Sequence, residues 1–207
     1  MENKDKNIGS LYTVGAALLL CVAAFCPVNI QDALAILIAC VFGFQGAGAV
    51  GLYIVLGMIG LPVLPNGTKY GGGTAVLTGL YGGFIWGIFL ASLLCGLLMG
   101  NVLKKKEPAG LLEKAEAAAR AGKTDWFFLI KLLLILIAAY VVVQAPGIIW
   151  YVKCISRENL QKGKLPISYG DAFMLCTLRN IPFLIVKLAV SYPLVIILRK
   201  LFEPKRS

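Results

Sequence analysis

Between Ala33 and Leu64 the chain runs for 32 residues without a charged side chain. As a single helix that run would measure roughly 48 Å, well beyond the hydrocarbon core of a bilayer, which is about 30 Å thick. It is too apolar for water and too long for one crossing, so it must fold back on itself inside the membrane. Gly43, Gly46 and Gly48, clustered around Gln45, provide the backbone freedom for that turn and leave two short spans.

The remaining segments share this character. Of 207 residues, 59% are apolar and 14% charged, against about 25% charged in an ordinary soluble domain. The mean hydropathy is +0.83. A soluble helical bundle needs a polar outer face, and several of these segments have none. The expectation is an all-α integral membrane protein forming a single transmembrane domain over residues 1–207. Six transmembrane helices are expected at about 11–26, 32–43, 47–62, 74–100, 126–150 and 182–199, with a loop at 101–125. An even number of spans places both termini on one side. Twelve of the twenty Lys and Arg residues then fall on that side and five on the other, which predicts cytoplasmic termini in a bacterial plasma membrane. The net charge of +10 follows from this topology and from anionic headgroups, and calls for membrane lipid as a partner, not nucleic acid. Residues 111–123, LLEKAEAAARAGK, read as a short helix at the cytoplasmic surface.

The residue inventory narrows the chemistry. With no histidine, the chain has no Ser-His-Asp or Cys-His nucleophile, no imidazole metal ligand and no histidine relay. Six cysteines lack CxxC spacing and read as small packing residues. Glycines 71–73 precede Thr74 without the GK[ST] ending of a phosphate loop, so any ATP must be bound by another subunit. Ser168 followed by Asp171 reads as the start of a short helix, in preference to half of an aspartyl protease dyad. The expectation is a protein without enzymatic activity, cofactor or metal.

In the fourth span Gly79, Gly83, Gly87, Ala91 and Cys95 recur every fourth residue, a smooth stripe against which another helix can pack closely. Near its start lie Tyr81, Phe84 and Trp86, beneath the glycine-rich stretch GLPVLPNGTKYGGGT at 60–74. Aromatic rings beside a flat glycine wall suit a flat ring ligand; the same rings also suit an interfacial belt. In the last span Lys187 falls about 7.5 Å below an entry at Pro182, with Arg179 and Asn180 at the rim. Such cations either hold a ligand carboxylate or snorkel to headgroups.

The stretch LYIVLGMIGLPVLPNGTKYGGGTAVLTGLYGGFIWG, residues 52–87, resembles the central signature of the BioY family, the biotin-specific S components of energy-coupling-factor (ECF) transporters. CPVNIQ at 26–31, GIIWYV at 147–152 and NIPFLIVKLAV at 180–190 resemble further family elements, in order along the chain. The resemblance implies an S-component-like bundle with an outer gating loop at 60–74. It implies a subunit that captures biotin from the outer side and works with a transmembrane coupling protein and two cytoplasmic ATPases. Candidate ligand contacts are Lys187, Arg179, Asn180, Tyr81, Phe84, Trp86, Gly83, Asn66, Tyr70 and Gln31. Ala17 and Cys21 resemble in position the small-residue face that meets the coupling protein. The sequence departs from the family where the last helix usually carries an Asp and, three residues on, a Lys: here stand Lys187 and Val190. Asn29 and Asp32 replace hydroxyl residues beside the Gln. A member diverged toward a biotin precursor or another small carboxylate vitamin, and a stand-alone ion-coupled permease, are the alternatives.

Overall fold

The computed structural model describes residues 2–25, 30–64, 72–100 and 126–202, with side chains from Gly9 onward. Helix α1 spans Glu2–Ala23, α2 Gln31–Phe42, α3 Phe44–Met58, α4 Thr74–Thr78, α5 Gly82–Met99, α6 Trp126–Gln161, α7 Tyr169–Cys176 and α8 Ile181–Phe202, with a 3-10 turn at Leu178–Asn180 before α8. Three segments, Gly82–Met99, Trp126–Gln161 and Tyr169–Phe202, are long and apolar enough to cross a membrane. This is an all-helical, multi-pass membrane protein. The expected 111–123 surface helix lies outside the described residues.

The uncharged run does fold back, at a single residue. Gly43 takes φ 62° between α2 and α3, a left-handed conformation that other side chains resist. Gln45, Gly46 and Gly48 are already inside α3. Gly46 serves packing instead, because a Cβ there would run into the Ile38 carbonyl and lie 2.8 Å from Ala39 Cα.

The fourth apolar segment also departs from the expected continuous span. The chain breaks between α4 and α5, where Gly79 is extended (ψ −174°). The Gly79 carbonyl accepts from Gly82 N at 3.0 Å and from Trp150 Nε1 at 2.9 Å, so the break leaves no orphan acceptor in an apolar setting. Helix α6 in turn runs 36 residues, about 54 Å, past its expected end at Trp150. The polar stretch Lys153–Gln161 sustains the helix with an exposed Lys162–Glu158 pair one turn apart, which holds the Glu158 carboxyl below its ordinary value. Gly163 at φ 69° ends it. Ser168 caps α7 as expected, its Oγ accepting from Gly170 N at 3.2 Å.

The glycine stripe of α5 faces α6. A Cβ on Gly87 would lie 2.5 Å from Val143 O, and one on Gly83 would overlap Trp150 Cβ. In return Phe84 of α5 occupies the space above Gly147 of α6. Further along the stripe Ala91 and Cys95 are fully buried. In a bilayer such close backbone approach supplies the attraction that apolar burial supplies in water.

Helix α8 is held differently. Of its side chains only Ser191 and Val195 are buried; Leu184, Leu188 and Ile196 pack partly buried against the core, and polar ties add to them. Tyr192 Oη donates to Leu129 O at 3.3 Å. Arg199 donates from Nη1 to Cys40 O at 2.6 Å and from Nη2 to Met99 O at 3.3 Å. These are carbonyls in the last turns of α2 and α5, where the helix dipole favours a cation. The guanidinium also stacks over Phe128, 5.8 Å from the ring centroid. Beside it Tyr12, Phe42 and Phe202 cluster with centroids 5.2 to 5.8 Å apart, joining α1, α2 and α8 at this end. Ala17, by contrast, is only 1% exposed. It faces into the bundle, which corrects the expectation that it presents a surface to a partner.

Two predictions follow from these contacts. Gly87→Ala should destabilise the purified protein by about 1–3 kcal/mol, whereas Gly15→Ala, where an added Cβ meets nothing within 4 Å, should be neutral or slightly stabilising; equal melting temperatures for both variants would contradict the packing assigned to the stripe. Arg199→Met should cost about 1.5–3 kcal/mol and Arg199→Lys should recover only part of it, because an ammonium cannot fork between two helix ends; full recovery by lysine in a thermal unfolding assay would show that charge alone suffices.

Candidate functional site

At the end of the bundle opposite Arg199, the stretch leaving α3 is clasped from two sides. The Val63 carbonyl accepts from Gln31 Nε2 at 2.8 Å and from Tyr53 Oη at 2.9 Å, both buried. Gly73 N donates to Gly57 O at 2.9 Å. A Cβ on Gly72 would lie 2.6 Å from Gly60 O and Leu61 O, so only glycine lets the two flanks of the 65–71 stretch come this close. Val63 and Leu64 anchor the first flank, both buried. Asn66 and Tyr70 lie outside the described residues. Gln31 thus spends its amide N–H on backbone and ties the start of α2 to the loop base.

The residue after Gln31 carries the charge chemistry of the site. Asp32, in the first turn of α2, receives Lys187 Nζ of α8 on both oxygens, at 2.7 Å to Oδ1 and 2.8 Å to Oδ2. Its own neighbour Ala33 N adds a bond to Oδ1 at 2.9 Å. The two side chains are 15% and 19% exposed, so the pair is largely withdrawn from solvent, where an unpaired charge would be costly. Position explains the acid: the amide groups of a helix N-terminus favour a carboxylate. The expectation that Lys187 stands ready for an external carboxylate therefore meets an internal one already in place.

Around this pair the membrane interior is unusually polar. Ser191, one turn along α8 from Lys187, is 3% exposed. The hydroxyl of Tyr140 on α6 is buried near Ser191, and among the described residues no group meets it with full hydrogen-bond geometry. Gln144, one turn further along the same face of α6, buries its Oε1 with no donor among the described residues. Sequence reasoning passed over Tyr140, Gln144 and Ser191. The available signal was two polar side chains four apart inside an apolar run.

The other candidates divide into two groups. Tyr81, Phe84 and Tyr151 form an aromatic cluster, with the Tyr81 ring 6.5 Å from each of the others. Trp86 is 41% exposed on the outside of α5. Gly83, expected as a bare wall for a ring ligand, is covered by Pro146 and Trp150 of α6, so its smoothness serves helix packing. Arg179 is exposed on the 3-10 turn, and Asn180 Nδ2 donates to Cys176 O at 2.9 Å, bracing the turn between α7 and α8. A shallow surface hollow lies elsewhere, along Lys153, Ser156, Arg157, Leu160 and Gln161. Those residues form one stripe of a single helix, which leaves no opposing wall to enclose a ligand.

Comparison with known proteins places these features in a family. The biotin transporter BioY of Thermotoga maritima is 40% identical over 73 residues, which is 35% of this chain and 41% of the relative's length. The crystal structure of the S-component for biotin from an ECF-type ABC transporter superposes with a TM-score of 0.65 over 99% of this chain and 96% of that one, at 22% identity. The fold is that of an S component. The family model for BioY matches residues 8–204, nearly the whole sequence, and the chain belongs to the BioY family.

Proposed function

We propose that this protein is the substrate-binding membrane subunit of an ECF-type ABC transporter, capturing biotin from the outer side for uptake driven by partner subunits. The observation that carries the reading is the family match over residues 8–204. The fold likeness to a biotin S component agrees with it. The partners are a transmembrane coupling protein and two cytoplasmic ATPases, since the sequence holds no nucleotide-binding motif. The chain sits in a bacterial plasma membrane with both termini cytoplasmic, in line with the distribution of Lys and Arg. The end carrying Lys187 and the 60–74 stretch is then the outer one.

In this reading the ligand enters between the loop base and the start of α8. Tyr81 and Phe84, with Tyr151 beside them, supply aromatic area, and Lys187 supplies polar contacts at the depth of Asp32. Trp86, Arg179, Asn180 and Gln31 belong to the outer rim and its supports. The work of the subunit is binding, with no bond made or broken.

Biotin at a hundred times its dissociation constant should stabilise the purified protein by about 2.7 kcal/mol, read as a raised melting temperature. Uptake of labelled biotin by cells should depend on co-expression of the coupling protein and ATPases. Stabilisation by a biotin precursor and not by biotin would reassign the ligand, and uptake by cells holding this chain alone would favour an ion-coupled permease.

A further inference from the structure

Helix α6 continues to Gln161, past Trp150, where its apolar run gives way to polar sequence. At the helical rise Lys153 stands about 4.5 Å and Arg157 about 10.5 Å beyond Trp150. These heights bracket a phospholipid headgroup layer, which is about 5–7 Å deep on each side of the hydrocarbon core. Positive charge is unexpected there, because the positive-inside rule leaves outer connections poor in Lys and Arg. Yet Lys153, Arg157, Lys162 and Lys164 are four of the five cations on the side proposed as outer. Lys162 pairs with Glu158. Lys153 and Arg157 are exposed and meet no carboxylate partner among the described residues.

Lys153, Ser156, Arg157 and Leu160 share one face of α6 and line a shallow hollow. An ammonium, a guanidinium and a hydroxyl together offer a cluster of donors matched to phosphate oxygens. The hollow has no opposing wall, which tells against a freely diffusing ligand. A molecule already anchored in the bilayer by its acyl chains needs no such wall. Helix α7, which packs against α6, points the same way: of its side chains only Ala172 is buried, and Tyr169, Phe173 and Met174 are exposed, as suits a short helix lying in the membrane interface. We propose that the extension of α6, through Lys153, Ser156 and Arg157, is a docking surface for the phosphate of an anionic phospholipid in the outer leaflet. This rests on the topology proposed above, in which the Lys187 end is the outer one. The surface ties the far end of the longest helix to the headgroup layer.

The test uses the full-length protein with Trp86→Phe and Trp126→Phe, which leaves Trp150 as the sole indole, reconstituted in vesicles. Quenching of its fluorescence by brominated phosphatidylglycerol is compared with quenching by brominated phosphatidylcholine of the same chains. Phosphatidylglycerol should be preferred beside Trp150 by about threefold or more, given that a surface cation is worth up to about fivefold in attraction to anionic lipid. Adding Lys153→Gln and Arg157→Gln, both at exposed positions, should abolish the preference, and the charge-keeping swap of Lys153→Arg with Arg157→Lys should restore most of it. Lys131→Gln, an exposed cation near the other end of α6, should leave it unchanged. Equal quenching by the two lipids, no quenching by either, or a preference that survives the double glutamine variant would overturn the proposal. The leaflet is read separately in intact cells, where Leu165→Cys, at a position 87% exposed, should react with a membrane-impermeant thiol reagent beyond the level of the unsubstituted protein. A lipid preference without that labelling would overturn the proposed topology and the outer-leaflet assignment with it; labelling without a lipid preference would overturn the docking surface alone.

Discussion

In a bilayer, an apolar helix face gains almost nothing by leaving lipid for protein, so the ion pair between Asp32 and Lys187 matters more to the last helix than its leucines and isoleucines. Helix α8 shows the consequence. Lys187, Ser191, Val195 and Arg199 stand four residues apart and make one stripe facing the bundle, with a charge near each end. Lys187 meets the first turn of α2, while Arg199 meets the last turns of α2 and α5. Helix dipoles favour an acid at the first place and a base at the second. The same short helix, α2, is thus gripped by α8 at both ends.

The rest of the architecture supports that grip. Glycines carry the close contacts, Gly46 between α3 and α2 and Gly83 and Gly87 between α5 and α6. These rigid contacts fix α2 and α6, the two helices that present Asp32 and Tyr140. Gln31 then links the site to the loop base, since its side chain holds Val63 while its sequence neighbour holds Lys187. A displacement of the 60–64 stretch would therefore act directly on the first turn of α2. The arrangement suits a subunit whose task is to hold a small ligand between a loop and a helix bundle and later release it.

Much of this was legible in the sequence, for reasons that differ by element. The fold-back of the uncharged run followed from length against bilayer thickness, and the packing of the Gly83–Gly87 face followed from four-residue spacing. The last helix was bounded closely because Pro182 marks its first turn and Arg199 its last. Other features depend on pairings between distant segments, and linear spacing does not reveal them. Lys187 read as an unpaired cation because the acid facing it comes from α2, 155 residues earlier. The α4–α5 break was missed because one of the two donors to its Gly79 carbonyl, Trp150, lies 71 residues away. Tyr140 and Gln144 were hidden by the strongly apolar run that contains them, where average hydropathy outweighs two polar side chains.

The account stands on the energetic coupling of Asp32 to Lys187, and a double-mutant cycle on thermal stability measures it most directly. Asp32→Leu and Lys187→Met should each destabilise the purified protein, since each strands the other charge in a largely buried place. The double variant should then be more stable than the sum of the two losses, by a coupling energy of about 1–3 kcal/mol. Additive losses would mean that the two side chains meet without holding α8 to α2, and would contradict the account.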